Sequence, residues 1–153
     1  MKMISNFLRS LLNDFRSLKS KFYSITPMKK SVKSRAIRLE DVAWKRNDDP
    51  RDWLNYKRLI WEETGSNDLC VGLGELPPGK ILGLHHHEDD AEFYYVISGR
   101  AKVTVEDEEI DATPGTAIYI PVGAKHRILN DGNENFVIVY GLDAPTRRYV
   151  WDE

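Results

Sequence analysis

All four histidines of this 153-residue chain fall between positions 85 and 126. Three stand together in LHHHEDDAEFYYV, as His85, His86 and His87. In an extended strand alternate side chains share a face, so His85 and His87 point one way and His86 the other. Glu92 opens the next extended run after the acidic turn at 88–90, with Tyr94 and Val96 on its face. His126 opens a later run directly after PVGAK. Three imidazoles and one carboxylate are then available to a single site. That donor set suits one divalent transition metal: Fe, Mn, Ni, Co, Cu or Zn. His86 is expected to face outward, as a structural or interface residue.

A metal held by four protein ligands still exposes coordination positions to a small substrate, acting as a Lewis acid or activating dioxygen or water. Tyr94, two residues after Glu92, is expected to line the same cavity, where a nearby cation favours its phenolate and makes it a candidate base. Lys57 and Arg58 alternate on the run at 54–62, so one of them faces inward and pairs a substrate carboxylate. Arg58, with Tyr56 and Trp61 beside it, forms the candidate substrate-binding set; aromatic rings there suit a small cation. Cys70, in an apolar run, reads as a small core residue.

These residues need strands to position them, and from residue 53 onward the chain supplies them. Short runs rich in Val, Ile, Tyr and Phe lie near 54–62, 69–76, 80–86, 92–98, 101–106, 116–120, 126–129, 135–142 and 147–151, with an earlier one at 35–39. Gly, Pro, Asp and Asn punctuate them, at GSND, PPG, SG, EDEE, TPG, PVG and NDGN. Many short strands with turn punctuation predict an all-β sandwich or small barrel.

The spacing then resembles a known family, the cupins. Their first motif, G-x5-H-x-H-x4-E-x6-G, is filled from Gly79 through His85, His87 and Glu92 to Gly99. Their second, G-x5-P-x-G-x2-H-x3-N, is filled from Gly115 through Pro121, Gly123 and His126 to Asn130. The resemblance implies a double-stranded jelly-roll barrel with His85, His87, Glu92 and His126 as metal ligands. Turn glycines and a strand-ending proline agree with it on physical grounds. The body also resembles the small single-domain cupins that include dimethylsulfoniopropionate lyases, from YKRLIWEE to the C-terminal Tyr149 and Trp151. That likeness implies a C–S lyase releasing dimethyl sulfide and acrylate, with Tyr94 as base and Tyr149 binding or deprotonating substrate. Those lyases have one residue fewer between the second His and the Glu; the spacer here is the generic cupin form. An Fe(II)-dependent dioxygenase and a non-catalytic metabolite-binding barrel are the alternatives. Cupins of this size also suggest a homodimer, and outward Phe93, Tyr95 and Ile97 suit such a face.

Charge divides the chain. Residues 1–39 hold ten Lys and Arg against one acid, Asp14, whereas residues 40–153 hold 12 against 23 acids. The first segment is therefore expected to be a basic extension and the second, 40–153, the cupin domain. Apolar residues at Ile4, Phe7, Leu8, Leu11, Leu12, Phe15, Leu18 and Phe22 have helical spacing, which predicts an amphipathic helix over 4–23. The expected location is cytoplasmic, with organelle targeting through this segment as the alternative, and membrane contact is not expected except through residues 1–25. A net charge of −2 argues against nucleic acid as a partner, leaving a small-molecule substrate. One cysteine excludes an internal disulfide.

Overall fold

The computed structural model describes residues 35–152. The expected helix over 4–23 lies outside them. Ten strands follow in chain order: β1 (Asn55–Ile60), β2 (Cys70–Leu76), β3 (Ile81–His86), β4 (Glu92–Ser98), β5 (Ala101–Val105), β6 (Glu108–Ala112), β7 (Ala117–Ile120), β8 (His126–Leu129), β9 (Phe136–Leu142) and β10 (Val150–Trp151). They form two five-stranded antiparallel sheets, ordered β1-β2-β9-β4-β7 and β10-β3-β8-β5-β6. The fold is an all-β jelly roll. Among the described residues no helix is long and apolar enough to cross a membrane.

Strict alternation fills the space between the sheets. In β4 Glu92, Tyr94 and Val96 are buried, while Phe93, Tyr95 and Ile97 are exposed. In β2 Cys70, Gly72, Gly74 and Leu76 turn inward. The apolar part of the core is built from Leu76, Leu82, Val103, Ile128, Phe136 and Ile138, all fully buried. Burying such side chains is the main favourable term in folding, at roughly 1.5–3 kcal/mol each. The last motif residue, Asn130, is also buried; its Nδ2 donates to the carbonyls of Leu76 (2.7 Å) and Glu134 (2.9 Å), and its Oδ1 accepts from Gly132 N (3.0 Å). It ties the end of β8 to the end of β2.

Three expected strands and one expected turn need correction. Residues 35–38 take no regular structure, and Leu39–Asp41 form a 3-10 turn. The run at 54–62 stops at Ile60, and Glu62–Thr64 are again a 3-10 turn ending in Gly65. EDEE at 106–109 is not wholly a turn: Glu108 and Glu109 already belong to β6. This is an edge strand, and acids on its outward side discourage pairing with another chain. The run at 147–151 is a strand only at Val150 and Trp151.

One irregularity matters for chemistry. Leu82 and His85 are both buried, yet they are three residues apart, and strict alternation would put them on opposite faces. The register of β3 against β8 shifts between them. Gly83 sits in the shift, its N–H donating to Arg51 O (2.8 Å). A Cβ there would press within 3.2 Å of Arg51. Bulges commonly re-aim a side chain next to a functional site, and this one turns His85 and His87 inward.

Candidate metal centre

His85, His87, Glu92 and His126 converge between the sheets at one end of the barrel. One potential ligand atom from each lies within 4.8 Å of the others, and all four residues are buried. β3 brings His85, and the residue just after it is His87; His126 opens β8 directly opposite His85. Glu92 opens β4 in the other sheet. A cation here would bridge the two sheets.

The hydrogen bonds fix which nitrogen faces the centre. Each imidazole Nδ1 contacts a backbone carbonyl: Gly83 O for His85 (2.7 Å), Ala124 O for His126 (2.9 Å) and Arg148 O for His87. A carbonyl only accepts, so each Nδ1 carries the hydrogen and each Nε2 of a neutral ring presents a lone pair. The Nε2 atoms of His87 and His126 each lie 3.1 Å from Glu92 Oε2. Two acceptors at that distance repel unless a cation lies among them. His85 Nε2 is buried with no partner at all. The four residues thus fit a divalent metal, on the tautomers they are held in and on an orphaned nitrogen.

Titration behaviour agrees. Burial, reinforced by the neighbouring His126 ring and the Arg147 charge, pushes the His85 imidazole down to about 2, so it stays neutral and able to ligate. Burial alone would raise the Glu92 carboxyl, but the adjoining His126 and His87 rings and the Arg147 charge hold it well below its ordinary value. Glu92 is therefore an anion in a dry site.

The C-terminal segment covers this centre. Val150 pairs with His86 and Trp151 with His85. The Tyr149 ring stands edge-on to His85 (5.2 Å) and His87 (6.4 Å), and Trp151 edge-on to His85 (5.5 Å). Arg51, bound to Asp49 (2.7 Å), lies 4.6 Å over Trp151 from outside. His86 faces away, its Nδ1 2.7 Å from Asp152.

The expected catalytic tyrosines both meet the centre. Tyr94 donates to Glu92 Oε2 (3.0 Å) and is fully enclosed. Burial, then the Glu92 charge, pushes its phenol well above its ordinary value, so the hydroxyl orients the carboxylate as a donor. Tyr149 donates to Asp52 Oδ2 (3.1 Å), and Asn47 Nδ2 reaches its hydroxyl oxygen (2.6 Å). Burial, with the Asp52 charge, raises Tyr149 to about 12. Tyr149 also lines an outer cavity of about 360 Å³ with Arg148 and with Glu88, Asp89 and Asp90 of the acidic turn.

The expected substrate-binding set groups around Arg58 on β1. Arg58 stacks 5.1 Å over Tyr56 and 5.1 Å over Trp61. With Trp61 it lines a separate cavity of about 400 Å³ against Ala36–Ala43. Tyr56 is a core residue of β1, and none of the three makes a hydrogen bond, ion pair or ring contact with the four histidine and glutamate side chains above.

Two groups at the centre carried no sequence signal. Asp52 is buried and accepts from Leu54 N (3.0 Å), Asn47 Nδ2 (2.5 Å) and Tyr149. Arg147 is buried, with its Nε 3.7 Å from Glu92 Oε1. Its guanidinium lies 5.4 Å over Tyr140 and 5.1 Å over Tyr149. Tyr140 fits there because Gly72 stands opposite it; a Cβ on Gly72 would come within 2.4 Å of the Tyr140 hydroxyl oxygen.

Comparison with known proteins agrees with this geometry. Residues 72–142 match the family model described as the cupin domain. Polyketide synthase CurC of Streptomyces cyaneus is 31% identical over 78 residues, 51% of this chain and 51% of that protein. Glucose-6-phosphate isomerase of Thermococcus litoralis is 29% identical over 122 residues, 69% of this chain and 64% of that protein. The chain spans about half or less of the first three curated relatives, at 51%, 14% and 46%. Among solved structures, the polyketide cyclase RemF from Streptomyces resistomycificus aligns with a TM-score of 0.68 at 19% identity, over 79% of this chain and 87% of that one. A predicted oxalate decarboxylase from Thermotoga maritima aligns with a TM-score of 0.65 at 23% identity, over 72% and 99%. Those identities speak to the fold alone.

Proposed function

We propose that this chain, whose residues 72–142 match the cupin-domain family model, is a metal-dependent enzyme acting on a small carboxylate-bearing substrate. The observation that carries this reading is the set of three Nε2 lone pairs and one carboxylate aimed at a single point, two of them only 3.1 Å from Glu92 Oε2. Such an array costs free energy without a cation. The polyketide synthase and the isomerase named above are among its sequence relatives. A bound divalent ion would supply a Lewis acid that acidifies the C–H next to a coordinated carboxylate.

The reaction we propose is β-elimination of dimethylsulfoniopropionate. The proton leaves the carbon beside the carboxylate, a C=C bond forms, and the C–S bond breaks with its electron pair going to sulfur. The products are dimethyl sulfide, acrylate and a proton. Tyr149 is the better-placed proton acceptor of the two tyrosines, because its own proton already has an acceptor in Asp52 at 3.1 Å. Tyr94 instead points at Glu92 and holds that ligand in place. The acids Glu88, Asp89 and Asp90 around the outer cavity favour the sulfonium end there.

Gas chromatography of metal-loaded protein incubated with the sulfonium substrate tests this. Dimethyl sulfide release, abolished in Tyr149→Phe and sharply reduced in Tyr94→Phe, is the expected result. No release with any of the candidate metals defeats the elimination. Fe(II)-dependent oxygen uptake in its place would establish the dioxygenase instead.

A further inference from the structure

The buried side-chain atoms without a hydrogen-bond partner are not scattered. Among the described residues they are Arg58 Nε, His85 Nε2, Glu92 Oε1, Tyr140 Oη, and Arg147 Nε and Nη2. A cation accounts for the histidine and glutamate atoms. It cannot account for Arg147, whose N–H groups only donate. The nearest carboxylate, Glu92, is 3.7 Å from Nε, an ion pair beyond hydrogen-bond reach. Leaving donors of a buried guanidinium unmet is costly, and here two of them belong to one edge of the fork, Nε and Nη2. That edge is the one that grips a carboxylate with two parallel hydrogen bonds.

We propose that Arg147 is the substrate-carboxylate anchor of this site, gripping a monoanionic carboxylate through its Nε–Nη2 edge beside the metal. This deepens the function proposed above and rests on it for the metal-bound setting. Arg147 is suited to the task because its surroundings keep it in place without using up that edge. The Tyr140 and Tyr149 rings lie 5.4 and 5.1 Å from the guanidinium carbon, and neither takes a hydrogen bond from Nε or Nη2. Burial opposes its charge, but Glu92 and the neighbouring groups outweigh burial and keep it protonated. A carboxylate suits it better than a phosphate dianion, because the Glu92 and Asp52 charges already bear on the guanidinium. A zwitterion would then lie with its anionic end at Arg147 and its cationic end toward the acidic outer cavity, with Tyr149 between.

Calorimetric titration of the full, metal-loaded chain with sodium propionate tests the assignment. Propionamide, the same shape without charge, and inorganic phosphate are the controls. Wild type should bind propionate at least about tenfold tighter than either control. Arg147→Lys keeps a positive charge beside Glu92 and removes the two-pronged edge. It should keep its metal content and unfolding temperature, lose roughly tenfold in propionate affinity, and leave propionamide unchanged. Equal propionate affinity in the two proteins overturns the proposal, as does tighter binding of phosphate, or no propionate binding by wild type. Should the variant fail to fold, a crystal structure of wild type with propionate decides. The carboxylate belongs within hydrogen-bond distance of Arg147 Nε and Nη2, and a position elsewhere overturns the assignment. Turnover enters neither readout. Propionate held by Arg147 in a protein that releases no dimethyl sulfide defeats the elimination alone. A lyase whose Arg147→Lys variant binds propionate normally defeats the anchor alone.

Discussion

Leu82 and His85 lie three residues apart on β3, equally buried, both between the two sheets. Around Leu82 the core is apolar, with Val103, Ile128, Phe136 and Ile138. Around His85 the neighbours are His87, His126 and Tyr149, with an orphaned nitrogen at the centre. Burial in the first region stabilises the fold. Burial in the second opposes it until a ligand supplies the missing partners. One barrel therefore separates stability from chemistry along its length, as expected where function is held at a cost in stability.

The largest test of that contrast is at the apolar end. Phe136→Ala should lower the unfolding free energy by about 3–5 kcal/mol, measured by urea denaturation, with metal affinity unchanged in whatever fraction folds. A loss of metal affinity equal to that of a ligand variant would erase the division. At the polar end, His126→Ala should weaken metal binding by more than the roughly 10–100-fold that outer-shell changes cost, read by competition with a chelator.

Acid should separate the two regions next. The His85 imidazole is depressed to about 2 in the folded chain. The folded state therefore binds fewer protons than the unfolded one below its unfolded value, and stability falls as pH drops. Between pH 6.5 and 5, metal-free protein should lose about 2 kcal/mol through this group. Glu92, also depressed, adds a further loss as pH falls below its ordinary range. His85→Leu should remove the first component and be at least as stable as wild type without metal. Denaturation curves at the two pH values check this; an unchanged acid slope in the variant would mean His85 is not the group. The smallest effect belongs to neither region. Tyr119→Ser, on the most exposed large side chain of β7, should change stability by no more than about 0.5 kcal/mol.

The ligand set was legible because the motifs encode backbone geometry directly. The His-x-His spacing is strand alternation, and Gly99 and Gly123 mark turns with φ of 75° in both cases. The bulge at Gly83 was not legible, since the run at 80–86 reads as an ordinary strand and only pairing with β8 shifts its register. β6 was hidden by composition: Glu108, Glu109 and Asp111 suit an edge facing water, and Lys102 crosses to Glu109 (3.0 Å) and Asp111 (2.7 Å). Arg147 left no pattern because its role comes from long-range closure, the C-terminal segment folding back over β3. Arg58 illustrates the converse. Alternation placed one of Lys57 and Arg58 inward, and both are half-buried; β1 is the edge strand of its sheet, and Arg58 stacks there on Tyr56 and Trp61.

The most direct test of the central claim is anomalous diffraction from crystals of the full chain loaded with zinc. The account predicts one strong peak bonded to Nε2 of His85, His87 and His126 at about 2.0–2.1 Å and to a Glu92 oxygen. A peak held instead by His86 and Asp152, or by the acids at 88–90, with the four-residue centre left without one, would contradict it.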